Sequence, residues 1–254
     1  VMVCDEVHSA AASTYSQAIL LSGAGHCWGL TATPVRADDL VLGIHAVCGP
    51  VIFERSSRWG IDNGFLTKPL ISMINVPSGK GPLPDAMIQA KAYATLCKTE
   101  NALNILCQTL KALEDRNLKT LVLFKTKEPG EVFVKRYNQL YGTKHMVAHS
   151  GFRQPFRMFK DGKVNTLVSN SALLGTGVDV PNIDAVISIV NSSGEAITRQ
   201  VLGRGLRLSP GKEFLYYYDI VLKGYGYRDK FLGYAQARKQ VYLDVVDHVN
   251  VVEV

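Results

Sequence analysis

The chain predicts an α/β fold: a mostly parallel sheet with helices packed on its faces. Three observations carry that reading. Short runs rich in Val, Ile, Leu and Phe recur along the whole sequence. Several are apolar throughout rather than alternating, as strands covered on both faces are. Between them lie stretches with helical periodicity, and strands that alternate with helices build parallel sheets through crossover connections.

Val1–Cys4 reads as a strand and Ala10–Leu21 as a small apolar helix, closed by the turn Gly23-Ala24-Gly25. Cys27–Leu30 is the next strand, and Asp39–Val47 a helix stopped by Gly49-Pro50. Residues 61–76 hold a short helix and then a strand, Leu70–Val76. Residues 77–84 read as a linker, because prolines alternating with glycines hold neither a helix nor a central strand. Ala90–Arg116 reads as one long helix with an apolar stripe at Ala102, Ile105, Leu106, Leu110 and Leu113. Then come the strand Leu121–Phe124, the helix Glu128–Leu140 and the strands Met146–His149, Thr166–Ser169, Ala185–Ile189 and Phe214–Ile220. Tyr227–His248 is largely helical. No short internal repeat is present. The predicted organisation is a first unit over 1–76, a linker over 77–84, a second unit over 85–225 and a helical extension over 226–254.

Composition sets outer bounds. With 47% hydrophobic residues in 254, the chain has enough apolar mass for full cores and is not a disordered protein. Its apolar runs fall short of the roughly 20 residues that cross a bilayer, so no membrane partner is expected. The net charge of +6 is uneven: residues 1–84 hold five Lys/Arg against six Asp/Glu, and residues 85–254 hold 23 against 16. The second part is therefore the better candidate for a polyanion. Cys4, Cys27, Cys48, Cys97 and Cys107 form no C-x-x-C pair and lie in apolar surroundings, which fits free thiols in a reducing, cytoplasmic compartment. His145 and His149 are four apart, but no Glu follows the first, so no zinc site is expected there.

Four clusters carry chemistry. Asp5-Glu6-Val7-His8 follows the first strand, and two acids at a strand's carboxyl end are placed where open α/β sheets bind ligands. One carboxylate can hold Mg²⁺ on a nucleotide while its neighbour positions an attacking water. Thr31-Ala32-Thr33-Pro34 with Arg36 can hydrogen-bond such a pair, though it also fits an ordinary strand-to-loop transition. Ser171–Pro181 contains Gly175 and Gly177, which allow close backbone approach, and Asp179, which can accept hydrogen bonds; a Gly-rich turn with a capping Asp fits equally. In Gln200–Arg207, Gln200, Arg204 and Arg207 are spaced to share one helical face. Guanidinium groups there can stabilise charge on a transferring phosphoryl group; a solvated basic helix is the alternative. No G-x-x-x-x-G-K-[ST] phosphate loop occurs in the chain, and Gly79-Lys80-Gly81 lacks the residues that would complete one.

In this order the clusters resemble superfamily 2 helicases of the DExH type, in the flavour of phage, DNA-repair and restriction-motor enzymes. Asp5–His8 resembles motif II, Leu30–Arg36 motif III, Val122–Phe124 motif IV, His149–Gly151 the element that follows it, Ser171–Pro181 motif V and Gln200–Arg207 motif VI. The resemblance covers most of the chain and implies RecA-like parallel sheets, partial in the first lobe and complete in the second. It implies ATP with Mg²⁺ held by Asp5, and Glu6 as catalytic base. It implies that His8 and Gln200 link the nucleotide to the second lobe, and that Thr31 and Thr33 couple hydrolysis to movement. Gly177 and Asp179 would touch the nucleotide, and Arg204 and Arg207 the γ-phosphate. Lys125, Ser150, Gly151, Arg153 and Ser171 would contact a nucleic-acid backbone, with DNA favoured over RNA. The cytosol of a bacterium or phage-infected host is the implied location. The family's phosphate loop precedes motif II, so the chain is expected to be part of a longer enzyme and inactive alone. Two other readings stay open: a non-enzymatic nucleic-acid-binding module, and a double-strand translocase that does not unwind.

Overall fold

The computed structural model describes residues 1–7, 13–31, 41–79, 89–174, 180, 182–192, 195–224 and 230–254. They divide into two units, Val1–Arg55 and Ser56–Val254.

In the first unit, β1 (Met2–Cys4) and β2 (Cys27–Gly29) pair in parallel, Met2 opposite Cys27 and Cys4 opposite Gly29. The helices α1 (Ser13–Leu21) and α2 (Val41–Cys48) complete it, around a small core of Cys4, Val7, Ile19 and Ile44. Gly29 is needed for this packing, since a Cβ there would stand 2.8 Å from Val7 Cγ1. Val7 N–H donates to Leu30 O at 2.9 Å, and Leu30 N–H to Cys4 O at 2.8 Å, which carries the pairing past the strand ends.

The second unit is a seven-stranded sheet. Its elements run α3 (Ser57–Asp62), β3 (Lys68–Val76), α4 (Gln89–Cys97), α5 (Glu100–Asp115), β4 (Thr120–Phe124), α6 (Lys127–Tyr141) and β5 (Val147–Ala148). They continue with α7 (Gln154–Lys160), β6 (Thr166–Asn170), α8 (Ser171–Leu174), β7 (Ala185–Ile189), α9 (Glu195–Gly205), β8 (Phe214–Leu222), α10 (Lys230–Leu243) and β9 (Asn250–Glu253). The strand order is β5-β6-β4-β7-β8-β3-β9, and every pairing is parallel. This is the parallel α/β architecture that the sequence predicts.

The uniformly apolar runs are explained by burial on both faces. Val122 and Phe124 point into one core with α4, α5 and α6, while Leu121 and Leu123 point into the other with α7 and α9. β8 divides in the same way, Ile220 and Leu222 to the first face and Leu215, Tyr217 and Val221 to the second.

Three expectations are corrected. The division between units falls at 55/56 and not within 77–84, because β3 pairs with β8 along its whole length, Lys68 opposite Phe214 through Val76 opposite Leu222. Hydrophobic pattern identifies a strand but not its neighbour, so sequence order alone assigns this strand to the first lobe. Residues 80–84 of the expected linker lie outside the described residues. The helix predicted over 90–116 is two helices, because Thr99 caps a new start by accepting from Ala102 N–H, with Glu100 in the first turn. The C-terminal stretch is more than a helical extension: after α10 the chain adds β9 beside β3, with Ser72 opposite Asn250.

Candidate functional site

The topology marks one place for a ligand. The connection from β4 leads toward the β5 edge, whereas that from β7 leads to β8 on the other side. Adjacent parallel strands whose connections diverge leave a crevice at their carboxyl ends. A cavity of about 400 Å³ is lined there by Lys125, Thr126, Ser171, Ile197, Gln200 and Arg204, among others. Lys125 and Thr126 follow β4, Ser171 and Ala172 follow β6, and the remaining groups come from α9, which follows β7.

Each element presents its residue for a physical reason. Ile197, Gln200, Val201 and Arg204 recur at three- and four-residue spacing, so one face of α9 lines the cavity. Val201 is also part of the core, which fixes the rotation of the helix. Lys125 is held through its backbone: its N–H donates to the Tyr93 hydroxyl at 2.8 Å. Tyr93 is buried, and burial pushes its phenol well above the ordinary tyrosine range, so it stays a neutral partner. Ser171 Oγ lies 3.5 Å from Lys125 O, a long contact between the β6 and β4 loops.

The β5 loop joins the same sheet edge. His149 and Phe152 exchange backbone hydrogen bonds of 3.1 and 2.9 Å, and Gly151 N–H donates to His149 Nδ1 at 3.2 Å. This tight turn leaves Ser150, Gly151 and Arg153 accessible, with Arg153 at the start of α7. The structure thus brings Lys125, Ser150, Gly151, Arg153 and Ser171 to the carboxyl ends of three neighbouring strands, β5, β6 and β4. Gln200 and Arg204 stand in the same cavity as Lys125 and Ser171.

Arg207 follows the end of α9 rather than lying in it, and it is not among the residues that line the cavity. The helix α9 ends at Gly205, where close packing decides the geometry: a Cβ at Gly205 would stand 2.7 Å from Leu215 Cδ2. Arg207 is exposed in the following turn, and its carbonyl accepts from Thr67 Oγ1 at 3.3 Å and from Lys212 Nζ at 3.1 Å. Lys212 also donates to Gly205 O, so one ammonium ties down the carbonyls after the helix. Burial lowers that ammonium to about 8.

In the first unit, Asp5 and Glu6 are both exposed at the carboxyl end of β1. Asp5 Oδ1 accepts from Glu6 N–H at 2.9 Å, and Glu6 has φ +50°, a left-handed conformation that non-glycine residues adopt at a cost. Two accessible carboxylates offer the oxygen donors Mg²⁺ prefers, and Mg²⁺ takes the rest of its shell from water and phosphate. Among the described residues no group of three or more His, Cys, Asp or Glu is arranged for a metal, so a transition-metal cage is not what they offer. Thr31 is half-buried just after β2. His8, Thr33, Gly177 and Asp179 lie outside the described residues.

Sequence reasoning missed Tyr93, Thr126 and Ile197. Tyr93 carries no motif signal, since only the folded chain shows its hydroxyl beside Lys125. It also missed the pairing of Asp219 with Arg238, although a lone acid inside the aromatic run Phe214–Leu222 signals a required partner.

Comparisons with known proteins bear on the fold and on one domain of the chain. Residues 101–209 match the helicase conserved C-terminal domain. The chain is 28% identical over 232 residues to the general transcription and DNA repair factor IIH helicase/translocase subunit XPB of Danio rerio, covering 87% of this chain and 29% of that protein. It is 22% identical over 237 residues to the putative ATP-dependent helicase IRC3 of Saccharomyces cerevisiae, covering 87% of this chain and 34% of that protein. The fragment structure of a putative HsdR subunit of a type I restriction enzyme from Vibrio vulnificus YJ016 has the same fold, with a TM-score of 0.65 at 20% identity, over 95% of this chain and 46% of that one. The chain thus spans about a third of the length of these curated relatives. No helix among the described residues is long and apolar enough to cross a membrane. The matched domain, the order of the motifs and the parallel sheet together support reading the chain as a C-terminal portion of a superfamily 2 helicase.

Proposed function

We propose that the chain belongs to an ATP-dependent motor that moves along nucleic acid, with DNA as its track. The observation that carries this is the cavity at the β4/β7 switch point, where Lys125, Ser171, Gln200 and Arg204 converge. A cation, a hydroxyl, an amide and a guanidinium in one crevice recognise phosphate and its esters. The relatives' names support the track: XPB is named for DNA repair, and the HsdR relative for a restriction enzyme.

Roles follow from chemistry. Asp5 holds Mg²⁺, which when bound neutralises phosphate charge. Glu6 accepts a proton from the attacking water. Arg204 and Arg207 stabilise charge that develops on the transferring phosphoryl group. Gln200, next to Arg204, reports nucleotide state to the same cavity, and Thr31, Thr33 and His8 relay it in the first unit. Gly177 and Asp179 contact the nucleotide. Lys125, Ser150, Gly151, Arg153 and Ser171 grip the backbone of one strand without reading bases. Hydrolysis then drives stepping of the lobes along that strand in a reducing, cytoplasmic setting.

The test is ATP hydrolysis, with and without DNA, by the full-length enzyme that contains this chain. DNA-stimulated turnover is expected, and Arg204→Ala or Arg207→Ala should lower it by about 10³–10⁵ while leaving DNA binding nearly intact. The 254-residue chain alone, without a phosphate loop, should turn over slowly. DNA binding by the full-length enzyme without turnover would make it a binding module instead. Turnover without strand displacement would make it a double-strand translocase.

A further inference from the structure

A buried ion pair lies outside residues 101–209 and reaches the connection that leads to α9. Asp219, in β8, is 0% exposed, and Arg238, in α10, is 3% exposed. Arg238 Nε donates to Asp219 Oδ2 at 2.7 Å and Nη2 donates to Oδ1 at 3.1 Å, a side-on fork. The Tyr242 hydroxyl donates to Oδ2 at 3.0 Å. Burying two charges costs desolvation that their attraction only offsets, and apolar replacements are often as stable. The pair therefore calls for a purpose beyond stability.

The third guanidinium contact supplies one. Arg238 Nη1 donates to Ser192 O at 3.0 Å, and Ser192 lies in the connection from β7 to α9. Its neighbour Asn191 is fully buried with φ +46°, donates to Ile220 O at 2.7 Å and accepts from Leu222 N–H at 3.1 Å. Further along, Arg199 of α9 reaches Glu195 at 2.8 Å and Asp244, just past α10, at 2.5 Å. Asn191 and Ser192, in the connection toward α9, are tied to β8 and α10, and Arg199 of α9 is tied to Asp244 just past α10.

We infer that Arg238 is a positioning residue, oriented by Asp219, that pins the Ser192 carbonyl and thereby sets Gln200 and Arg204 in the switch-point cavity. Arg238 acts on those side chains through the backbone that leads into α9. Its consequence for turnover rests on the proposed motor function, whereas its effect on α9 does not, so the two are tested separately.

The first arm is amide hydrogen exchange on the 254-residue chain. Arg238→Lys keeps the charge and loses the fork; amides across residues 195–203 should exchange about tenfold faster, with β4 and β6 unchanged. Tyr242→Phe leaves the Ser192 contact in place and should alter α9 by less than about twofold. Should Arg238→Lys not fold, Asp219→Asn is read in the same way. Unchanged α9 protection, a uniform rise across α9, β4 and β6, or failure of both variants to fold would each overturn the inference. The second arm uses the full-length enzyme. Arg238→Lys should lower kcat about tenfold while KM for ATP and DNA affinity stay within about twofold, as expected when catalytic groups are misplaced rather than removed. A folded variant with unchanged kcat would overturn the functional half. A wild-type enzyme with no ATPase would instead refute the motor reading and leave the exchange result to decide the positioning role.

Discussion

At the scale of single residues, Glu114 shows how a half-buried carboxylate is satisfied. Glu114 of α5 accepts from the Tyr137 hydroxyl at 2.6 Å and from Thr166 Oγ1 at 2.5 Å, and its Oε1 lies 2.9 Å from His145 Nε2. The His145 contact is a close approach and not a well-directed hydrogen bond. Burial opposes ionisation of Glu114, but these partners outweigh it and hold the carboxyl down at about 2. A lowered carboxyl pKa gives stability that is present above the unfolded value and lost as pH falls through the folded one. The window here is from about pH 4 down to about pH 2. Glu114→Gln should therefore cost about 1–2 kcal/mol at pH 7, and its deficit should shrink below about pH 4. Urea midpoints of both proteins at about pH 7 and about pH 3 check this; a deficit that stays constant counts against it. A second residue-scale prediction concerns Lys125 and Arg153. Each removes about one phosphate contact when changed to Ala, so each should flatten the slope of log affinity against log salt by about one unit for single-stranded DNA. Slopes equal to wild type would place both outside the strand path.

At the scale of elements, α9 decides how the motif is read. From sequence, Gly203 and Gly205 look alike: both weaken a helix, so both point to a requirement other than surface decoration. The structure separates them. A Cβ at Gly203 would meet nothing within 4 Å, while one at Gly205 would press into Leu215 of β8, which is fully buried. Gly205→Ala should destabilise the protein by about 1–3 kcal/mol through overpacking. Gly203→Ala should be neutral or stabilising by up to about 1 kcal/mol through helix propensity. Thermal melts of the two variants distinguish them, and equal losses would refute the packing explanation. The last helical hydrogen bond of α9, from Leu206 N–H to Leu202 O at 2.9 Å, leaves Arg207 just beyond the helix.

At the scale of the whole chain, β3 sets what can fold alone. It lies between β8 and β9, and β9 pairs with no other described strand. A piece that starts at residue 85 would strip β8 of a nine-residue partner and leave β9 without one. Residues 56–254 should therefore unfold in one cooperative transition, while 85–254 should be poorly soluble or lack a sharp transition. Circular-dichroism melts of the two pieces settle the boundary; a sharp transition for 85–254 would show β3 to be dispensable.

What the sequence determined by itself is local. Apolar runs such as Leu121–Phe124, and Ala185–Ile189 with its single Ser188, specify strands covered on both faces; the clusters at Asp5 and Ser171 follow strands, and that at Gln200 lies on the helix after β7. Periodicity and motif spacing hold that information within a few residues of the chain. Tertiary structure alone decided the rest. Which strands become neighbours, and so that Lys125 and Ser171 share a cavity with Gln200 and Arg204, depends on crossovers spanning tens of residues. The same holds for β3 joining the second unit, for Tyr93 meeting Lys125 and for Arg238 reaching Ser192, because contacts between distant residues arise only when the sheet brings their elements together.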